Sequence, residues 1–184
     1  GKVHGENVYS SVSEDRVAVR DATSFLIKAG RKKILFLTES SSYSASEKQK
    51  GYEEALSSYG LPVSGDLKIK LRSAEPHYVR DILLQYSKLT FDAVITTNDS
   101  IAVGAVKYAN VRSLFIPEDI AIIGYNNSSL AVTCEPEITS IDGRSEQLCH
   151  DTILNLVNLL NQKSEIPELL SVPSQLIKRN TTNF

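Results

Sequence analysis

The stretch Phe91-Asp-Ala-Val-Ile-Thr-Thr-Asn-Asp-Ser-Ile-Ala-Val-Gly-Ala-Val-Lys-Tyr-Ala-Asn-Val111 reads as one strand feeding one helix. Phe91 to Thr96 is a short apolar run, the pattern of a strand covered on both faces. A helical run from Ser100 to Val111 follows, then a second apolar run, Ile120 to Gly124. Upstream the same unit repeats. Ile34-Leu-Phe-Leu37 follows the basic Arg31-Lys32-Lys33, and ahead of it Val17, Val19, Ala22, Phe25, Leu26 and Ala29 form a helical stripe from Glu14 to Ala29, with Gly30 as its C-terminal cap. A helix from Ser46 to Tyr59 ends at Gly60 with Pro62 beyond, a strand spans Lys68 to Leu71, and a helix spans Glu75 to Ser87. Downstream come a strand at Ile138 to Ile141, an amphipathic helix from Ser145 to Asn161, and an extended run from Leu169 to Lys178 ending in a polar tail. Pro136, Pro167 and Pro173 punctuate these joints, where the chain leaves the main sheet and later returns.

Strict alternation of strand and helix implies a parallel sheet, because parallel neighbours need crossover connections. Those crossovers are right-handed, so helices cover both faces of an α/β, doubly wound sheet. Ligands in such folds bind beyond the carboxyl ends of the strands, here just after Leu37, Ile95 and Gly124.

At 184 residues, 41% hydrophobic and 23% charged, the chain is long enough and apolar enough for one dominant core, with disorder expected only at the ends. A net charge of −2 leaves no basic field for phosphates, so these residues do not form a DNA-binding surface. Cys134 and Cys149 lack metal or redox spacing and are read as free thiols of a reducing compartment. No segment has the apolar length to span a bilayer, and the start lacks the apolar core of a signal peptide, so cytoplasmic location and no membrane partner are expected. There is no Met, even at position 1, which suggests a trimmed fragment.

Catalytic signatures are missing from the sequence. It holds no GxSxG elbow, P-loop, dinucleotide fingerprint or HExxH spacing, and His4, His77 and His150 stand on separate elements without ligating neighbours. The tyrosines lack a basic companion stripe for stacking nucleic-acid bases. No catalytic residue, metal or cofactor is expected.

Three motifs carry a resemblance. Lys48-Gln-Lys-Gly-Tyr-Glu-Glu-Ala-Leu56 followed by Tyr59-Gly-Leu-Pro-Val63, Asp92-Ala-Val-Ile-Thr-Thr-Asn-Asp99 with Ile101-Ala-Val-Gly-Ala105, and Ile116-Pro-Glu-Asp-Ile-Ala-Ile-Ile-Gly-Tyr-Asn-Asn127 resemble the lactose-repressor (LacI/GalR) family of bacterial regulators. Ala22-Thr-x-x-Leu-Ile-x-x-Gly-x-Lys-Lys-Ile34 and Glu135-Pro-x-Ile-Thr-Ser-Ile141 extend the likeness over essentially the whole chain from Val8. The resemblance implies a periplasmic-binding-protein-like fold of two subdomains joined by three crossing segments, with a small effector between them. It assigns residues 1–12 to a tag remnant, an N-terminal-subdomain edge and a crossover. It assigns 13–134 to the C-terminal subdomain, 135–165 to a strand and helix of the N-terminal subdomain, and 166–184 to the return. The family's helix-turn-helix head and the first half of the N-terminal subdomain have no counterpart among these residues.

The candidate effector-binding residues follow from the strand ends. Asn98 has an amide that offers a donor and an acceptor to sugar hydroxyls, and the family motif places a contact there; the alternative is a helix cap. Asp99 is read as the N-cap of the next helix. Asn126 stands where many family members carry an aspartate, which puts any direct transfer of ligand identity in doubt. The loop Thr38-Glu-Ser-Ser-Ser-Tyr-Ser-Ala-Ser46, including Ser44, is rich in hydroxyls and suits a polyol, or is an ordinary surface loop. Tyr43 offers a face to a pyranose. Ser46 and Lys48 occupy the region where family members place an arginine, and loss of that bidentate fork argues against a carboxylate ligand.

The leading reading is a sugar-responsive effector-binding module of a homodimeric repressor, acting by linkage rather than chemistry and reaching operator DNA only through a separate head. The Gly124-Tyr-Asn-Asn-Ser128 variant and the serine-rich loop give it a maltose-type lean. The competing readings are a solute receptor of the same fold and a sugar-modifying α/β enzyme.

Overall fold

The structure, a computed structural model, describes residues 9–86, 90–161 and 167–184. In chain order the elements are β1 (Ser10–Ser13), α1 (Asp15–Lys28), β2 (Ile34–Thr38), α2 (Tyr43–Ser58), β3 (Lys68–Lys70), α3 (Pro76–Gln85), β4 (Ala93–Thr96), α4 (Asp99–Val111), β5 (Ala121–Tyr125), α5 (Ser129–Thr133), β6 (Thr139–Asp142), α6 (Ser145–Leu160), β7 (Leu169–Val172) and β8 (Gln175–Ile177). Six strands form one sheet in the order β3-β2-β4-β5-β6-β8, parallel except for β8. β1 and β7 form a separate parallel pair.

The uninterrupted apolar runs of β2 and β5 are the direct cause of the three-layer build. Period-2 alternation sends Ile34 and Phe36 of β2, Ala93 and Ile95 of β4, and Ala121 and Ile123 of β5 to one face, where α1 and α2 cover them with Val19, Ala22, Leu26, Tyr52 and Leu56. Leu35, Leu37, Val94 and Ile122 face the other way onto Val79 and Leu83 of α3 and Ile101, Ala102 and Ala105 of α4. Gly30 and Gly60, both at positive φ, end α1 and α2 as the sequence predicts.

The chain crosses three times between the main sheet and the β1–β7 pair: at Glu14, at Gly143 and Arg144, and at Pro173 and Ser174. α6 lies over the small pair, and none of its residues is buried.

Several expectations are corrected. The strand near residue 140, expected in the N-terminal subdomain, is β6 of the main sheet, because its all-buried Thr139–Ile141 run pairs with both β5 and β8. The crossing therefore falls at residue 143 rather than at 135, and the return, expected from 166, comes only at Pro173, because Leu169–Val172 still pairs with β1 in the small sheet. The hydroxyl-rich loop is shorter than expected: Ser42 accepts from the Ala45 N–H at 3.2 Å and starts α2 at Tyr43, so Tyr43, Ser44 and Ser46 are helical. The polar tail is threaded into the core. Thr181, fully buried, donates to the Ile122 carbonyl at 2.6 Å and accepts from the Thr139 N–H at 2.9 Å. The tag remnant, His4 and the expected end of α3 at Ser87 lie outside the described residues, as does most of the join into residue 166.

Candidate functional site

Chain order reverses direction across the sheet between β2 and β4, so a crevice opens at their carboxyl ends. A cavity of about 490 Å³ lies on that side. The start of α2 contributes Ser42, Tyr43, Ser44 and Lys48, and the end of β5 contributes Tyr125 and Asn126. Ser11, Val12, Ser13, Asp15, Gly143, Ser145 and Leu148 close it from β1 and the crossing segments. The walls therefore come from both sides of the crossings.

The floor is a buried charge arrangement. Lys48 is only 6% exposed; its ammonium donates to the Thr97 carbonyl at 3.2 Å and stands 3.4 Å from the centre of the Tyr125 ring. Burial pulls the Lys48 pKa below its ordinary value, resisted by the negative field of Asp15, Glu39 and Asp99. The Tyr125 hydroxyl donates to Asp15 Oδ1 at 2.5 Å. Burial, and then the Asp15 carboxylate, push the Tyr125 pKa up, so the phenol keeps its proton. The Asp15 carboxylate opposes the Lys48 charge through space, and the rest of the lining is hydroxyl, amide and ring with apolar Val12 and Leu148 and the backbone of Gly143.

Asn126 sits at φ 100°, a left-handed conformation that asparagine tolerates, with its N–H on the Ile141 carbonyl at 2.8 Å. That twist carries the backbone out of β5 and leaves the amide exposed at the rim. Of the six residues singled out in the sequence, Tyr43, Ser44, Lys48 and Asn126 share this cavity. Ser46 lies instead along a second hollow, with Lys50, Lys68 and Lys70.

Asn98 is outside the cavity lining and is used internally. Its Oδ1 accepts from the Ile101 N–H at 2.9 Å, capping α4, while its Nδ2 donates to Glu39 Oε1 at 2.9 Å. The cap expected of Asp99 is thus made by its neighbour. Asp99, buried, accepts from the Ser128 N–H at 2.7 Å, the Ser128 hydroxyl at 2.8 Å and the Ser140 hydroxyl at 2.6 Å, tying β6 to the loop after β5.

Asp15, Tyr125, Ser13, Gly143 and Ser145 were not among the residues singled out. Asp15 carried one signal, an acid in the first turn of α1 that is buried rather than solvated. No local pattern announces the other four, because the walls they form depend on pairings between distant segments.

Over residues 23–182 the chain matches the periplasmic binding protein-like domain family. It is 39% identical, over its full length, to an HTH-type transcriptional regulator of Lachnoclostridium phytofermentans, of which it spans 55%. The chain spans about half the length of the curated relatives it matches. Among solved structures, a LacI-family regulatory protein from Chloroflexus aggregans superposes with a TM-score of 0.89 at 22% identity, over 98% of this chain and 66% of that one. A LacI-family sugar-binding transcriptional regulator from Escherichia coli, complexed with phosphate, does so with a TM-score of 0.82 at 25% identity, over 92% of this chain and 61% of the other. Matched along nearly its whole length in sequence and in fold, the chain belongs to the periplasmic binding protein-like domain family, in the form carried by LacI/GalR transcriptional regulators.

Proposed function

We propose that this chain is the effector-binding and dimerisation part of a bacterial repressor, and that its effector is a neutral sugar held in the cavity between the main sheet and the β1–β7 pair. The observation that carries the reading is the composition of that cavity among the described residues: one cation, Lys48, and one carboxylate, Asp15, of opposing charge, with Ser11, Ser13, Ser42, Ser44, Ser145, Tyr43 and Asn126 around them. An anionic effector would need uncompensated cations, and Lys48, the one cation among the described residues of the lining, already stands in the negative field of Asp15, Glu39 and Asp99. Hydroxyls and an amide suit a polyol, and the exposed Tyr43 ring offers a face for an apolar sugar surface. The sugar-binding designation of the Escherichia coli relative supports the same class.

The mechanism is linkage. A ligand that touches both sides of the crossings favours one angle between them, and it shifts the equilibrium only by its difference in affinity for the two states. Operator DNA would be engaged by a helix-turn-helix head of the kind the relatives' names describe, in the cytoplasm and as a homodimer. Within the sugar class we place maltose first, on the Gly124-Tyr-Asn-Asn-Ser128 turn and the serine-rich start of α2.

Calorimetric titration with a panel of mono- and disaccharides tests this. Expected is binding by the wild type, weakened about ten-fold or more in Asn126→Ala and Tyr43→Ala, the scale of one or two lost contacts. A panel without a binder, or a binder indifferent to both substitutions, would sink the site.

A further inference from the structure

The three connections between the sheets converge on one phenol. Tyr125 ends β5 and is 2% exposed, and its hydroxyl is its one polar side-chain atom. That hydroxyl donates to Asp15 Oδ1, beside the first connection, at 2.5 Å, and has Ser174 Oγ of the third connection at 3.4 Å. Because the phenol has a single proton, given to Asp15, the serine is the donor in the second contact. The middle connection lies against the same ring. A Cβ on Gly143 would stand 3.5 Å from Tyr125 Cε1 and 3.7 Å from its hydroxyl oxygen, and the Gly143 carbonyl accepts from Ser13 Oγ at 2.9 Å. The other face of the arrangement is the cavity, which Tyr125, Asp15, Gly143 and Lys48 all line.

We infer that Tyr125 is a positioning residue, a latch whose hydroxyl holds Asp15 and thereby the crossing segments, so that occupancy of the cavity is converted into a change in how firmly the two sheets are tied. A hydrogen bond from a buried phenol to a carboxylate belongs to the stronger, charge-assisted class. It lies at the pivot, where a small loss of restraint is read out across the whole β1–β7 pair. A ligand hydroxyl donating to Asp15 competes directly with this hold. The coupling half of the inference rests on the ligand reading given above; the latch half is a property of the ligand-free protein.

Hydrogen exchange separates the two halves. The reporter amides are those of Ser10, bonded to the Glu168 carbonyl at 2.8 Å, and Glu14, bonded to the Val172 carbonyl at 3.0 Å, with the β1–β7 ladder between them. Tyr125→Phe is compared with Tyr52→Phe, which removes an equally buried phenol whose hydroxyl donates to the Ile34 carbonyl at 2.8 Å, away from the crossings. Without ligand, Tyr125→Phe is expected to speed exchange in residues 10–14 and 169–172 about ten-fold, with the amides of β2 and β4 unchanged and no such effect in Tyr52→Phe. Unchanged exchange in those segments, or equal acceleration in both variants, would overturn the latch. At saturating maltose the wild type is expected to change exchange in the same segments and Tyr125→Phe to show no further change; an equal response in both overturns the coupling. Should no sugar of the panel bind the wild type, the ligand reading fails and the coupling with it, while the ligand-free comparison still decides the latch.

Discussion

At the residue scale, Asn98 separates a structural from a binding role. Its amide caps α4 and steadies Glu39, so Asn98→Ala is expected to cost roughly 1 kcal/mol of stability. Asn98→Ser, which keeps a capping oxygen, should recover most of it. Denaturant unfolding checks both, and a silent Asn98→Ala would show that the cap contributes nothing. Glu75 offers a second test with a pH sign. Its Oε1 and Oε2 accept from the His77 and Tyr78 N–H groups at 2.9 and 2.7 Å, and these bonds hold its carboxyl below the usual range. A depressed folded-state pKa contributes stability above the unfolded value, about 4.5, and loses it as pH falls through the folded value. The melting gap between wild type and Glu75→Gln should therefore be widest near neutrality and close towards pH 3; a gap independent of pH would refute the carboxylate's role. The sequence made Asn98 and Asp99 prominent but gave the cap to Asp99, whereas Asn98 makes it and Asp99 is a buried acceptor for Ser128 and Ser140. Two adjacent capping residues look equivalent locally, and what distinguishes them is Ser128 and Ser140, 29 and 41 residues further on.

At the element scale, the five long helices and the central strands were legible because each carries its own period, and Gly30 and Gly60 add stop signals to α1 and α2; the five-residue α5, too short to show a period, was not. β1 was not legible: four residues with a single apolar member become a strand only through pairing with Leu169–Val172, far along the chain. The buried end of the chain misled for another reason. Thr181 and Thr182 read as solvated, yet their hydroxyls bond the Ile122 carbonyl and the Thr139 side chain inside the core. Close helix approach was equally hidden. A Cβ on Gly51 of α2 would stand 2.1 Å from the Arg16 carbonyl oxygen of α1, and a backbone atom cannot rotate away. Gly51→Ala is thus expected to destabilise by about 1–3 kcal/mol through overpacking, lowering the melting temperature by roughly 2–4 °C for each kcal/mol. Calorimetry showing an unchanged or raised melting temperature would mean that α1 and α2 separate freely, against the close approach at Gly51.

At the scale of the whole molecule, the two sides of the crossings are unequally built. The six-stranded sheet is covered on both faces, whereas among the described residues the β1–β7 pair carries one helix with no buried residue. Ile153, Leu154, Leu156, Val157 and Leu160 are all exposed on α6, Leu160 at 74%, and at helical spacing they share one broad face, opposite the side that carries the half-buried Leu148, Asn155 and Asn158. A helix that turns an apolar face away from the sheet it covers is built to pack on a second partner, and an exposed patch of this kind drives association. Sedimentation velocity of the chain is accordingly expected to show mass rising with concentration, together with enhancement of a hydrophobic dye. Replacing Leu156 and Leu160 by Gln should reduce both without lowering the melting temperature of the main sheet, since neither side chain enters its core. A clean monomer at high concentration with no dye response would mean that α6 repacks onto the small pair in solution. The crossing angle would then be set by that repacking, and the cavity would have to be redrawn with it.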